Sequence, residues 1–395
     1  MSKKLEEGHS NEISKTLLPG STIGILGGGQ LGRMISLAGT AMGYRFVTLD
    51  PTPQSPSSDV AQQIVAEYDD VNAARELALT SDVITYEFEN VDAGIAEILV
   101  KESYVPQGSE LLYTTQHRVR EKRAIEAAGV PVAPYRVIEG MDSLRQAIGD
   151  LGYPSVLKTA TGGYDGKGQV VIRSEDQLAS AYAEFAASGR ELVLEQFISF
   201  QCEISVIVAR SPNGEVKSFP ISENIHINNI LHLSIVPARI TAQLQNEAKR
   251  LAEAVAMNMG VVGLLAVELF VTEDGTLYVN ELAPRPHNSG HYTMEACMTS
   301  QFEQHVRAVC NLPLGDTTLV SPVVMVNILG QHLDSVIWRV GERDELAMEL
   351  GIISKLHLYG KTESKDNRKM GHINLLCKDV QDGLDWVEQT NICGN

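Results

Sequence analysis

The sequence predicts an α/β protein of two or three domains, and three stretches carry the prediction. Thr22-Ile23-Gly24-Ile25-Leu26 reads as a buried strand, a glycine-rich turn follows, and a helical apolar period leads to a second strand ending at Asp50. Further on, Gly162 to Gly168 places four glycines in seven residues, between two short apolar runs. The third stretch sets two apolar runs on either side of Asp274-Gly275, a strong hairpin signal. The 395 residues suit that number of domains, and at 44% hydrophobic and 21% charged they supply an ordinary globular core.

Charge narrows the partners. A net charge of −18 argues against nucleic acid, whose phosphates it repels. An anionic substrate then needs a local basic cluster. The five cysteines, Cys202, Cys297, Cys310, Cys377 and Cys393, are scattered and form no Cys-x-x-Cys pair. They indicate neither a disulfide framework nor a zinc site, and they fit a reducing cytoplasm. The first eighteen residues are polar and mixed in charge, so they read as a loose extension and not as a signal peptide. No apolar run approaches membrane-spanning length.

In chain order, Gly27-Gly28-Gly29-Gln30-Leu31-Gly32 opens a helix through Met34, Ile35, Leu37, Ala38 and Met42, and Asp50 ends the next strand. That is the dinucleotide fingerprint, although glycine-rich strand-to-helix turns bind many anions. A unit at Gln63–Ala66, a helix near Ala73–Leu79 and a strand from Val83 into Glu87, Glu89 and Asn90 follow. Ligands of open α/β sheets bind at carboxyl ends of strands, so Glu87, Glu89 and Asn90 are candidates to meet a small ligand facing Gln30. A solvated strand end is the plainer alternative. A polar crossover from Pro106 to Arg120 leads to a helix over Glu121–Ala128, which Gly129 to Pro134 ends.

The second glycine loop joins strand to strand. Ser155–Thr159 precedes it and Gln169–Arg173 follows. A Walker A loop needs a following helix and Ser or Thr after the Lys, whereas Gly168 follows Lys167 here. Backbone N–H groups in such a hairpin tip can still close over phosphates, and Lys158 sits in the strand before it as a point charge. An ordinary hairpin tip remains the alternative. A helix near Gln177–Phe185 and strands at Leu192–Ile198 and Glu203–Val208 follow.

Taken as a two-residue loop, Asp274-Gly275 sets Glu268 directly opposite Glu281. Facing carboxylates repel, and a shared cation removes that cost. Mg²⁺ suits the pair, because it takes one or two carboxylates plus phosphate oxygens. The alternative is a surface acidic pair, but Glu268 interrupts a strand that otherwise reads as buried. Ala283 to His291 follows as a turn-rich loop dense in donors, of the kind that stabilises anions beside a metal. A smaller third domain begins at Thr317. It holds Lys361, Lys365, Arg368 and Lys369, four cations within nine residues, between two strands. A solvated basic turn is the usual fate of such a run, but Arg368 can bind phosphate bidentately.

These motifs together resemble the ATP-grasp superfamily, and within it the N5-carboxyaminoimidazole ribonucleotide synthases. The likeness lies in Gly27–Gly32, Tyr86–Asn90, Gly163–Gly168, Asn280–His291, Tyr359–Lys361 and Arg368–His372, and covers about residues 20 to 380. It implies an N-terminal extension over 1–18, a Rossmann-like domain over 19–117, an ATP-grasp domain over 118–316 and a small C-terminal domain over 317–395. It implies ATP and bicarbonate as co-substrates, Mg²⁺ or Mn²⁺ as metal, and a cytoplasmic homodimer. Bicarbonate would attack the γ-phosphate to give carboxyphosphate and ADP. The amine of 5-aminoimidazole ribonucleotide would then be carboxylated.

The resemblance also distributes roles. Arg118, Lys158, Gly163, Tyr164, Asp165, Gly166, Lys167, Gly168 and Gln169 would hold the ATP phosphates. Glu195, Gln196, Phe197 and Ile198 would read adenine, with Glu203 and His226 at the rest of the nucleoside. Glu268 and Glu281 would hold the metal, with Asn280 adjacent. Arg285, His287 and Asn288, with Tyr164, Asp165 and Lys167, would act in catalysis. Gln30, Leu31, Glu87, Asn90, Tyr164, Lys361, Arg368 and Lys369 would surround the aminoimidazole nucleotide. The rivals are an NAD-dependent dehydrogenase, a nucleotide-binding regulator without turnover, and another ATP-grasp ligase such as a formate-dependent glycinamide ribonucleotide transformylase or a biotin carboxylase.

Overall fold

The structure, a computed structural model, describes residues 15–163, 167–186, 189–340 and 344–392. Tyr164, Asp165 and Gly166 lie outside the described residues, as does most of the N-terminal extension. Three sheets organise the rest. The first is parallel, in the order Gln62–Ile64, Arg45–Leu49, Thr22–Leu26, Val83–Tyr86. Its inner strands are buried and mostly apolar past their first residues, Arg45 and Thr22, as helices on both faces require. Helix Gln30–Ala41 packs Leu31, Met34 and Ile35 on one face, in a core that also takes Phe302 and Val306 from helix Gln301–Val309 and Tyr359 from near the C-terminus. That shared core ties the first domain to the other two. Helices Val71–Thr80 and Ala93–Glu102 cover the other face through Ala74, Leu77, Ile95 and Leu99.

The second sheet is antiparallel, in the order Tyr135–Ile138, Leu192–Gln196, Ser155–Thr159, Gln169–Ile172. Helices Met141–Leu151 and Leu178–Ala186 close its apolar side. The expected strand–loop–strand around the second glycine loop is present, since Ser155 pairs with Ile172 and Lys158 with Gln169.

The third sheet has nine antiparallel strands. Its main path runs Leu277–Ala283, Gly263–Val271, Cys202–Arg210, Ser222–Ile227, Ile230–Val236, Val323–Leu329, Lys369–Leu376, Ile353–Leu358. The sheet therefore passes without a break across the expected boundary at residue 317, through pairs such as Leu233 with Val326 and Val236 with Val323. One face is apolar from Ile204, Val206, Val208, Val267 and Leu269, and helix Ala242–Asn258 packs on it. The opposite face starts apolar at Ala209 and Ala266, then turns polar at Glu268. Cross-strand partners share a face, so Glu281, Glu268, Ser205 and Ser222 form one polar row across four strands.

The hairpin that creates this row differs from the expected one. Val271 pairs with Leu277, so the turn spans Thr272 to Thr276 and not two residues. That register alone would set Asn280 opposite Glu268. The pairing shifts between Glu268 and Leu269, where Asn280 is the extra residue of a bulge, and Glu281 comes back opposite Glu268. The expected pair forms, by a different route.

Candidate active site

The first glycine turn is filled by the protein itself. Gly27 holds φ +113°, and a Cβ there would lie 2.2 Å from Glu87 Cγ, so the turn needs glycine. The Glu87 carboxylate accepts the backbone N–H groups of Gly29 and Gly32. Asp50 accepts the N–H of Gly28 at 2.8 Å and the Tyr68 hydroxyl at 2.7 Å. The N–H groups a pyrophosphate would use are therefore already taken, which removes the dehydrogenase reading. Burial pushes Glu87 up to about 7, against the two N–H donors that favour its anion. Gln30 begins the helix at this mouth, the Leu31 side chain belongs to the core, and Asn90 is exposed.

A second cluster lies under the second glycine loop. Lys158 donates to Glu195 at 2.9 Å, and Lys122 approaches the same oxygen at 3.3 Å, all three buried. Burial alone would raise the Glu195 carboxyl, but Lys158, Lys122 and Arg118 outweigh it and hold it near 2. Burial, with Arg118 and Lys122 nearby, lowers Lys158. Two ammonium groups share one carboxylate, so the cluster carries excess positive charge beside the loop. The Arg118 guanidinium lies against Gly163, and its backbone N–H donates to Ala160. Gly168 closes the loop base by accepting from the Thr159 N–H at 2.9 Å, and Lys167 is exposed above it. The Glu195 side chain, expected at adenine, is thus engaged by lysines. The N–H groups of Gln196 and Phe197 donate to Pro134 and Pro154.

The polar row opens beside this cluster. Arg118 stands 3.7 Å from Glu281, which faces Glu268. Burial first, then the Glu281 charge, pushes Glu268 up to about 8. A carboxylate this costly to ionise calls for a cation. Among the described residues no group of three or more His, Cys, Asp or Glu ligands is gathered, so the chain offers two carboxylates, which fits a hard divalent ion completed by phosphate oxygens and water. His287 Nε2 lies 3.2 Å from Glu268, and burial keeps this imidazole well below its usual range and neutral. Both polar side-chain atoms of Asn288 are buried without a hydrogen-bond partner. Orphaned buried amides are costly, and a bound ligand would satisfy this one. Arg285 is not free: it binds Glu89 through two nitrogens. His226 approaches Glu203 at 3.1 Å on the same face.

The basic turn completes the cleft. Lys361 donates to the Lys369 carbonyl at 2.7 Å, and Arg368 to the Glu363 carbonyl at 2.8 Å. Burial, then Arg368, pulls Lys361 down to about 8, while Glu87 opposes. That last effect places Lys361 by the first glycine turn. The charge of Lys369 reaches Glu89, Glu268, His226 and His287, so the turn faces the carboxylate pair as well.

Several residues here escaped the sequence reading. Lys122 stands one helical turn from Arg118, a spacing that could have found it. Glu121 is buried and accepts the Leu282 N–H at 2.8 Å behind the strand that carries Glu281; burial, then Glu281, pushes it up to about 8. Ser205 and Ser289, joined at 2.6 Å beneath His287, carry no motif signal. His291, His372 and His357 stack at ring separations of 4.7 Å, linking the donor-rich loop to the C-terminal strands.

Comparison with known proteins bears on all three parts. Residues 20–116 match the ribonucleotide synthetase preATP-grasp domain, 123–302 the ATP-grasp domain, and 323–385 the phosphoribosylaminoimidazole carboxylase C-terminal domain. The N5-carboxyaminoimidazole ribonucleotide synthase of Bacillus subtilis is 51% identical over 379 residues, 95% of this chain and 96% of its own. A crystal structure of an ADP complex of N5-carboxyaminoimidazole ribonucleotide synthetase superposes with a TM-score of 0.91 at 54% identity, covering 96% of this chain and 98% of that one. The Aspergillus clavatus enzyme, solved with ADP and 5-aminoimidazole ribonucleotide, gives 0.85 at 29% identity over 94% and 97%.

The lysine–glutamate cluster yields a stability prediction. Glu195→Gln leaves Lys158 and Lys122 buried without an anion, and should cost about 3–5 kcal/mol at neutral pH. Glu195 is held below its usual 4.5, so its contribution is complete above that value and is lost as pH falls toward about 2. Urea unfolding of the two proteins should therefore give stability curves that converge between those pH values. Parallel curves would contradict the ion-pair account.

Proposed function

The chain belongs to the N5-carboxyaminoimidazole ribonucleotide synthase family of ATP-grasp ligases, and on that premise we propose how its residues divide the work. The protein is an ATP-dependent carbon–nitrogen ligase that carboxylates 5-aminoimidazole ribonucleotide in purine biosynthesis. The observation that carries the residue assignment is the Glu268–Glu281 pair, set between a buried excess of positive charge at Lys158 and a basic turn at Lys361.

ATP lies between the two antiparallel sheets in this reading, within the unit 118–316. Lys158, Arg118 and the loop Gly163–Gly168 hold its phosphates. Strand end Glu195–Ile198 lines adenine, and Glu203 with His226 meets the nucleoside. Glu268 and Glu281 hold Mg²⁺, with Mn²⁺ as the alternative ion. The ion supplies charge neutralisation at the transferring phosphoryl group. Bicarbonate attacks the γ-phosphate: an oxygen–phosphorus bond forms, the bond to ADP breaks, and carboxyphosphate results. Arg285, His287 and Asn288 surround that anion, and the orphaned Asn288 amide is its most direct support. The aminoimidazole nucleotide enters between the units 19–117 and 317–395. Its phosphate meets Lys361, Arg368 and Lys369, and its ring lies near Gln30, Glu87 and Asn90. Its amine nitrogen bonds the carboxyl carbon as phosphate leaves and a proton is lost. Tyr164, Asp165 and Lys167 would close over the site from the glycine loop. We infer a cytoplasmic homodimer from the family; no helix among the described residues is long and apolar enough to cross a membrane.

The basic turn can be tested alone. Lys361→Ala and Arg368→Ala should each weaken ribonucleotide binding by about thirtyfold, the effect of losing one charge-assisted hydrogen bond, and leave ATP binding nearly unchanged. Wild-type affinity should also fall as pH rises through about 8, where Lys361 loses its proton, and Lys361→Ala should lack that step. Calorimetric titration of each ligand reads both effects. Equal losses for the two ligands would move the cluster to the triphosphate.

The reaction itself is tested by isotope. With ATP, Mg²⁺ and 5-aminoimidazole ribonucleotide, ¹³C-bicarbonate should place its carbon on the amine nitrogen as an acid-labile carbamate seen by NMR. ¹³C-formate should give no product. Label retained from formate, or none from bicarbonate, would assign the chain to another ATP-grasp activity.

A further inference from the structure

A buried hydrogen-bond chain runs through Ser205 of the polar row and ends at His287. Ser234 donates to Asn224 Oδ1 at 2.9 Å, and Asn224 Nδ2 donates to Ser205 Oγ at 3.0 Å. Ser205 Oγ donates to Ser289 Oγ at 2.6 Å, and Ser289 Oγ lies 2.9 Å from His287 Nδ1. Ser205, Ser234 and Ser289 are essentially inaccessible, so water does not compete for these bonds. The chain has a direction. An amide nitrogen can only donate, so Ser205 receives there; with its single proton directed at Ser289, Ser205 also receives from Ser222 Oγ, 2.8 Å away. Ser289 then sends its proton to Nδ1. An independent contact agrees: the Ser289 backbone N–H also points at Nδ1, at 3.4 Å, and an N–H cannot accept. Both donors require a bare lone pair on Nδ1. The ring proton then sits on Nε2, the nitrogen 3.2 Å from Glu268 and directed at the cleft.

We propose that Asn224, Ser205 and Ser289 are positioning residues that lock His287 in its Nε2–H tautomer, so that the imidazole presents a hydrogen-bond donor, and not a base, to the reacting oxygens beside Glu268. The proposal rests on the reading of His287 as a residue of the active site. An oxyanion needs a donor there, and a lone pair in the same position would repel it. The polarity of the wire, which runs along the same sheet face as Glu268, decides which of the two the substrate meets.

The test uses the full chain labelled with ¹⁵N-histidine. The His287 ring signals are assigned by their loss in His287→Gln. In the wild type the ring proton should correlate with Nε2 alone. Ser289→Ala removes the hydroxyl donor to Nδ1 and leaves only the longer backbone N–H contact, so a population with the proton on Nδ1 should become detectable; Ser205→Ala should shift the balance less. Ser289→Ala should lower kcat about tenfold, the loss of roughly one hydrogen bond in the transition state, with KM for ATP unchanged. In a His287→Gln background the same substitution should cost nothing further, whereas a merely structural serine would cost the same in both. A proton on Nδ1 in the wild type, an unchanged tautomer in Ser289→Ala, or equal costs in the two backgrounds would overturn the proposal. A locked tautomer with full turnover in His287→Gln would uphold the lock and sink the catalytic reading of His287 instead.

Discussion

Two carboxylates facing each other on one sheet are unfavourable, and much of the cleft follows from that repulsion. Glu268 and Glu281 are partners in the register of adjacent strands, and Glu268 interrupts an otherwise apolar strand. Without a counter-cation its proton is held well into the neutral range. The surroundings supply partial relief: Arg118 reaches Glu281 from one side, His287 meets Glu268 from the other, and the charges of His226 and Lys369 act on Glu268 as well. On our proposal the cleft is completed from outside, by a cation that brings anionic phosphate oxygens with it. Positive groups held nearby in excess, Lys158 and Lys122 over one Glu195, then find their counter-charge in the same ligand.

The fold supports this by placing three surfaces around one polar face. The parallel domain ends at Glu87, the small antiparallel sheet delivers the glycine loop and Lys158, and the nine-stranded sheet carries the carboxylate row and the basic turn alike. Because that sheet runs unbroken from Glu281 to the strands flanking Lys361, the facing carboxylates and the basic turn ride on one stiff layer. Their spacing is set by strand pairing, which is more precise than loops allow.

Much of this was legible in the sequence where signals are local. The period of apolar residues found the opening βαβ unit and the strand around Glu268, and the density of glycines between two apolar runs marked the second loop. The carboxylate pair was found on a premise that failed: the turn is longer than two residues, and only the bulge at Asn280 restores the pairing. A bulge leaves no mark in a hydrophobic pattern. The first glycine turn shows the opposite case. Its spacing fits a phosphate site, yet Glu87 and Asp50, distant in sequence, fill it. Nor could local patterns show that the strands after Val323 join the earlier sheet, because strand order is decided by long-range pairing. The buried serines were silent for a simpler reason. A Ser on a strand is compatible with many roles, and only its partners distinguish them.

The central claim is that Glu268 and Glu281 act together as a metal site that exists for a nucleotide phosphate. Electron paramagnetic resonance of Mn²⁺, titrated into the protein with ADP present, measures that directly. The account predicts a bound signal in the wild type, binding weaker by at least about tenfold in both Glu268→Gln and Glu281→Gln, as expected for loss of one charged ligand worth on the order of 1.4 kcal/mol or more, and retained folding in each variant. Wild-type affinity for Mn²⁺ in either variant, with ADP bound, would contradict it.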